Sequence, residues 1–189
     1  MLMLGWGCGR GNPAPERTGD SGPTNSRTAL TINVTAPLAA GLYHTCAIVN
    51  GAAQCWGNNN YGQLGNGTTT NSSVPVQVSS LTSGVQAIAA GAYHTCAIVN
   101  GGATCWGANY NGQLGNGTTT NSSVPVSVSG LTSGVVSIAA GGRHNCAIAN
   151  GGARCWGDNS YGQLGNGTTT DRSVPVQVSG LTSGVQAIA

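Results

Sequence analysis

The chain has 189 residues, and only ten carry charge: six arginines and four acids, for a net charge of +2. Charge this sparse and scattered excludes a nucleic-acid-binding or polybasic membrane surface as the organising property, and no segment approaches the roughly 20 apolar residues of a membrane span. Gly, Ser, Thr and Asn dominate, phenylalanine is absent, and β-branched residues fill the apolar runs, a composition of short strands joined by turns and hence of an all-β fold.

Residues 1–28 differ from the rest and read as a disordered leader remnant or tether. Leu4-Gly5-Trp6-Gly7-Cys8, followed by a Gly-, Pro- and Ser-rich stretch to Arg27, looks like the end of a bacterial lipoprotein leader, with Cys8 as the candidate lipidated residue and a membrane tether as its consequence. A free cysteine in a disordered tail is the alternative. Residues 29–37 alternate polar and apolar at Leu30, Ile32 and Val34 and read as a lead-in strand.

From residue 38 onward the chain repeats every 50 residues, with marks at His44, His94 and His144, at Trp56, Trp106 and Trp156, and at the Gly-Gln-Leu-Gly segments starting at Gly62, Gly112 and Gly162. A period of this size signals a solenoid, a propeller or an array. The units run approximately over 38–85, 86–135 and 136–185. Each offers four strand-like runs. In the second they are Val85 to Ala90, Thr95 to Val99, Ala103 to Trp106, and Val124 to Val128, whose Pro125 confines it to a sheet edge. Four antiparallel strands per repeat is the unit of a propeller blade.

Asn50-Gly51 lies between two of these runs and is a strong two-residue hairpin signal. The register it sets places Val49 opposite Ala52, Ile48 opposite Ala53 and Cys46 opposite Cys55. Counting from the turn, the cysteines fall on a non-hydrogen-bonded pair, where Cα atoms approach to about 4.5 Å, which suits a disulfide. The same rule pairs Cys96 with Cys105 and Cys146 with Cys155, using six of the seven cysteines. Their spacing does not suit a structural zinc site, and paired cysteines imply an oxidising compartment: extracellular or cell surface, in a bacterium if the leader reading holds.

The pattern Gly-x-x-His-Thr-Cys-Ala-Ile, a turn, Cys-Trp-Gly-x-Asn-x-x-Gly-Gln-Leu-Gly-x-Gly, then Val-Pro-Val and Val-x-x-Ile-Ala-Ala-Gly, resembles the repeat of the regulator of chromosome condensation family over residues 38–189. The resemblance implies a β-propeller, usually closed by seven blades, and the cysteine pair in each hairpin is similar to that of exported bacterial members. The nucleotide exchange and chromatin binding of the eukaryotic founder depend on an inserted wedge and a basic tail, and neither is carried over to this chain. The last residues, Gln186 to Ala189, match the first strand of a further blade, so the expectation is a partial or incomplete propeller: a fragment of a longer one, or an open arc that self-associates.

No catalytic constellation, metal site or cofactor is expected. The four acids form no pair beside a repeated nucleophile, and the repeated histidines read as structural groups satisfied within each blade. Positions that change between copies are taken to face solvent or a partner. They nominate a binding surface of Tyr43, Asn58, Asn60, Tyr61, Tyr93, Tyr110, Arg143, Arg154, Asp158 and Tyr161, with Asp171 and Arg172 as surface drift. Extending the register sets Arg143 against Asp158. The reading is a secreted or cell-surface scaffold that binds a protein or a glycan, and not nucleic acid. A hydrolase or lyase whose active site lies in missing blades is the alternative.

Overall fold

The computed structural model describes residues 38–189. The tether over 1–28 with Cys8, and the lead-in strand over 29–37, lie outside the described residues. The first sheet contains β1 (Leu38–Ala40), β2 (His44–Val49), β3 (Ala52–Gly57) and β4 (Ser72–Gln77). The second contains β5 (Val85–Ala90), β6 (His94–Val99), β7 (Gly102–Gly107) and β8 (Ser122–Ser127). The third contains β9 (Val135–Ala140), β10 (His144–Ala149), β11 (Gly152–Gly157) and β12 (Arg172–Gln177). Each sheet is antiparallel with its strands in chain order, so the fold is all-β and consists of three propeller blades of an incomplete ring.

The hairpin at the centre of each blade follows from two residues. Asn50 and Gly51 have φ of 52° and 78°, the pair of left-handed conformations that a type I′ turn requires and that asparagine and glycine tolerate. The turn sets Val49 against Ala52, Ile48 against Ala53 and Cys46 against Cys55, and the second and third blades repeat it. The facing cysteines form the disulfides Cys46–Cys55, Cys96–Cys105 and Cys146–Cys155, with Cα atoms 4.0, 4.0 and 4.1 Å apart. Pro125 lies in β8, the outer edge strand that pairs only with β7, where its missing N–H costs no ladder bond.

Each disulfide closes a short loop, so loop-closure entropy assigns it about 2.5 kcal/mol. Replacing Cys96 and Cys105 together by alanine should lower unfolding free energy by about that amount, read from urea denaturation. A thiol titration of the denatured, unreduced chain should leave the six hairpin cysteines unreactive; full reactivity would remove both the staples and the argument for an oxidising compartment.

Both faces of a blade are apolar, and neighbouring blades cover them. Cys46, Cys55, Leu64 and Val78 of the first blade pack with Ala97 and Trp106 of the second. Cys96, Ile98, Cys105 and Leu114 of the second pack in the same way with Ala147, Ala149 and Trp156 of the third.

A polar lock runs through each of these interfaces. The Gln63 carbonyl, in the loop after β3, accepts bonds from Trp106 Nε1 at 2.9 Å and Thr95 Oγ1 at 2.9 Å. Because the Thr95 proton is committed there, His44 Nε2–H donates to Thr95 Oγ1 at 2.7 Å. At the next interface the Gln113 carbonyl accepts from Trp156 Nε1 and Asn145 Nδ2, and His94 Nε2–H donates to Asn145 Oδ1 at 2.9 Å. The expectation that the histidines are satisfied inside their own blades is therefore corrected for His44 and His94: the partner of each is one blade on.

Glycine lets the loop approach this closely. At Gly115 φ is +66°, and an added Cβ would lie 2.8 Å from Trp156 Nε1 and 2.9 Å from Val128 Cγ1, separations no side chain could hold. The Gly-Gln-Leu-Gly segment is thus the plug between blades.

Candidate functional site

The long connection between the third and fourth strands is built around one buried asparagine. Asn59 is fully buried. Its Nδ2 donates to the carbonyls of Thr68 and Thr70, its Oδ1 accepts from Leu64 N at 2.8 Å, and its own N–H donates to Asn71 Oδ1 at 2.7 Å. One side chain closes the loop on itself and fixes residues 60–62 at its outer end. Asn109 and Asn159 repeat this arrangement.

On this frame the tyrosines converge. Tyr43 stacks on Tyr93 with ring centroids 5.1 Å apart and planes at 24°. Tyr61 meets Tyr93 edge-on at 5.1 Å and reaches Tyr110 at 6.2 Å. The Arg143 guanidinium lies over the Tyr110 ring, 5.4 Å from its centroid, within cation–π range. The result is an unbroken row, Tyr43, Tyr93, Tyr61, Tyr110, Arg143, drawn from all three blades, and Tyr43, Tyr61 and Tyr110 are 52%, 37% and 41% exposed. Hydrogen bonding with the Tyr43 hydroxyl, then burial and the surrounding phenols, holds the Tyr93 hydroxyl above the usual phenol range.

The other nominated residues fall elsewhere. Tyr161 is 93% exposed and stands outside the row. Its counterpart Tyr61 is flanked by rings from the following blade. Arg154 lies on β11 between Ala147 and Gln177, in a strand and not among the loops. Asn60 is exposed beside the row, its N–H turned to Asn58 Oδ1. Asn58 needs correcting as a surface residue: its Oδ1 accepts from Gln63 Nε2 at 2.6 Å, so it braces the plug, and its counterpart Ala108 is fully buried.

Arg143 and Asp158 do meet, through Asp158 N donating to the Arg143 carbonyl at 3.0 Å. Burial pushes the Asp158 carboxyl up, but bonds from Ser160 Oγ and N, with Arg143 and His144 close by, outweigh it and hold the pKa below the ordinary value. Asp171 is not surface drift. Its Oδ1 accepts from Asn159 N at 2.8 Å and its Oδ2 from Asn111 Nδ2 at 2.7 Å, tying the second loop to the third.

Among the described residues no group of three or more His, Cys, Asp or Glu side chains is placed to hold a metal ion. The ends of β1, β5 and β9 converge on a shallow cavity of about 300 Å³, lined by small and apolar residues such as Ala40, Gly41, Ala90, Gly91 and Gly141. The chemistry the site offers is therefore phenol hydroxyls, ring edges and one guanidinium.

Blades of four antiparallel strands, joined by a loop that plugs into the next blade, define a β-propeller repeat protein. The regulator of chromosome condensation (RCC1) repeat matches residues 50–98, 100–148 and 150–189, and a second form of the repeat matches 85–113 and 135–163. The chain belongs to the RCC1 repeat family. The first two matched units run from one hairpin turn to the next, so each straddles two blades and contains one interblade plug.

Among solved structures the chain is similar to human WBSCR16, at 26% identity and a TM-score of 0.65 over 74% of this chain and 38% of that one. It is also similar to yeast RCC1 (Prp20) bound to Kap60, at 21% identity and 0.66 over 78% and 40%. A second structure of Prp20p from Saccharomyces cerevisiae, described with its binding properties to Gsp1p and histones, matches at 23% and 0.64 over 75% and 37%. The chain thus spans less than half the length of each. No curated protein matches it.

Proposed function

We propose that the chain is a secreted or cell-surface binding scaffold, recognising a protein or a glycan through the loop face that carries the tyrosine row, and performing no catalysis itself. The observation that carries this reading is the contiguity of Tyr43, Tyr93, Tyr61 and Tyr110 on one exposed face. Large amphipathic rings supply contact area with little rotamer entropy to lose, and an exposed cluster of this kind marks an interaction site. The three hairpin disulfides support an oxidising location. Prp20, bound to Kap60 in one structure and described with its binding properties to Gsp1p and histones in the other, supports binding as a use of the fold.

Two measurements test the proposal. Protease added to intact source cells should remove the chain; protection until lysis would overturn the surface location. An extract of surface and secreted material passed over the immobilised chain should leave a partner on it that a Tyr61→Ala/Tyr93→Ala chain does not retain. Retention indifferent to both substitutions would overturn the assignment of the row.

A further inference from the structure

We infer that the partner of the tyrosine row is a protein and not a glycan, and that it sets a carboxylate against Arg143. The inference rests on the binding-scaffold reading and narrows it. Sugars bind aromatic residues by laying their C–H faces on open ring faces. Here the rings spend faces on one another: Tyr43 and Tyr93 each give one face to the other at 24°, Tyr61 stands edge-on at 66° to Tyr93 and 64° to Tyr110, and Arg143 takes one face of Tyr110.

Phenol hydroxyls and ring edges suit the backbone carbonyls, backbone N–H groups and side chains of a polypeptide. The loops between the rings are rich in Asn, Ser, Thr and Gly, the mixture of rigid tyrosine anchors and adaptable polar contacts found in paratopes. Mutual stacking holds the rings before a partner arrives, which lowers the ordering cost of binding.

Arg143 supplies the sign. It is exposed and its Cζ lies over the Tyr110 ring, and a guanidinium is a fork matched to a carboxylate. Asp158 is close by, but its carboxylate already accepts the Ser160 hydroxyl at 2.7 Å and the Ser160 N–H at 3.0 Å. A guanidinium carries five N–H donors, more than the one Asp158 oxygen left open by Ser160 can take, so Arg143 keeps donors for an incoming acid at one end of an otherwise uncharged row.

The test uses two probes on the whole chain: a displayed library of random peptides, and soluble oligosaccharides from chitin, cellulose and mannan. Selected peptides should carry Asp or Glu beside apolar residues. Their affinity should fall at least about tenfold on Tyr61→Ala, lose its preference for acid on Arg143→Gln, and stay unchanged on Tyr161→Ala. Tyr61→Phe keeps the ring and should weaken binding without moving the thermal midpoint, which separates a lost contact from a lost fold. Oligosaccharide binding that depends on Tyr61, with no acidic peptide selected, would overturn the inference and leave the scaffold reading standing. Binding of either probe that ignores Tyr61, Tyr93 and Arg143 would overturn both.

Discussion

Replacing Trp106 by alanine is expected to lower unfolding free energy by about 3–5 kcal/mol, while the same change at Trp56 costs far less. Trp106 is fully buried, packs with Leu64 and Val78 of the preceding blade, and donates to the Gln63 carbonyl. The substitution opens a cavity between two blades. It leaves Gln63 one of its two donors, Thr95, so most of the cost is lost packing and not an orphaned acceptor. Trp56 holds the same place in its hairpin, opposite Thr45, but is only half-buried. The pair is an internal control: identical chemistry in the blade, different cover. Equal losses at the two positions, measured by urea denaturation, would show that tryptophan acts within the blade and would defeat the interblade account.

The shape of the transition matters as well as its midpoint. In a repeat array stability is the sum of what each unit holds alone and what each interface adds. Weakening the interface between the first and second blades should let the first separate before the other two, so the Trp106→Ala transition should broaden or split. The tyrosine row crosses that interface three times, at Tyr43 with Tyr93, at Tyr61 with Tyr93 and at Tyr61 with Tyr110. A lesion in the core should therefore disorder the recognition face without touching it.

The blade was legible in the sequence because its determinants are local. Asn50-Gly51 dictates the turn, the turn dictates the register, and the register brings Cys46 to Cys55, all within ten residues. The interblade lock was not legible, because its contacts join residues 32 to 51 positions apart: Gln63 to Thr95, Gln63 to Trp106, His44 to Thr95. A 50-residue period shows that such residues recur without showing which copy meets which.

Drift between copies nominated all five members of the row, Tyr43, Tyr61, Tyr110, Arg143 and the partly buried Tyr93, yet it misled at other positions. Asn145 replaces the threonine of Thr45 and Thr95, and Asn145 and Thr95 are fully buried. Each accepts from a histidine and donates to a glutamine carbonyl, so the exchange conserves bonding and not shape. A hydroxyl-to-amide exchange beside repeated His and Gln was the available signal. Asp171 in place of Asn71 and Asn121 is another such exchange, since the carboxylate keeps the acceptor for Asn159 N and adds a second for Asn111.

Acid should undo the locks, and the magnitude is large. Burial, together with the positive charge that His94 would carry, lowers the pKa of His44 from 6.5 to about 4. Burial also lowers His94 to about 4, against an opposing contribution from its bond to Asn145 and aided by His144. In both rings Nδ1 is buried without a partner, so a proton arriving there has nothing to donate to. Between pH 6.5 and 4 the unfolded chain binds these protons and the folded chain does not, so stability falls as pH falls through this window and is level above about pH 7. A change from 6.5 to about 4 is worth about 3 kcal/mol per histidine, and at pH 4.5 the two together should cost about 5 kcal/mol, comparable with the whole stability of many domains. With only four acids in the chain, the other groups that bear on this window are few: His144, which burial also lowers against the opposing pull of Asp158, and Asp158, which is held below its ordinary value and begins to contribute at lower pH. Urea midpoints measured from pH 7.5 to 4.5 should therefore drop steeply for the native sequence and far less for His44→Gln/His94→Gln, which keeps only His144 and whose amides can still donate to Thr95 and Asn145. An equal slope in both chains would place the acid sensitivity outside the locks. A slope confined largely to the native sequence would mean that the two histidines, repeated like a metal or catalytic motif, instead hold the blades together only while they are neutral.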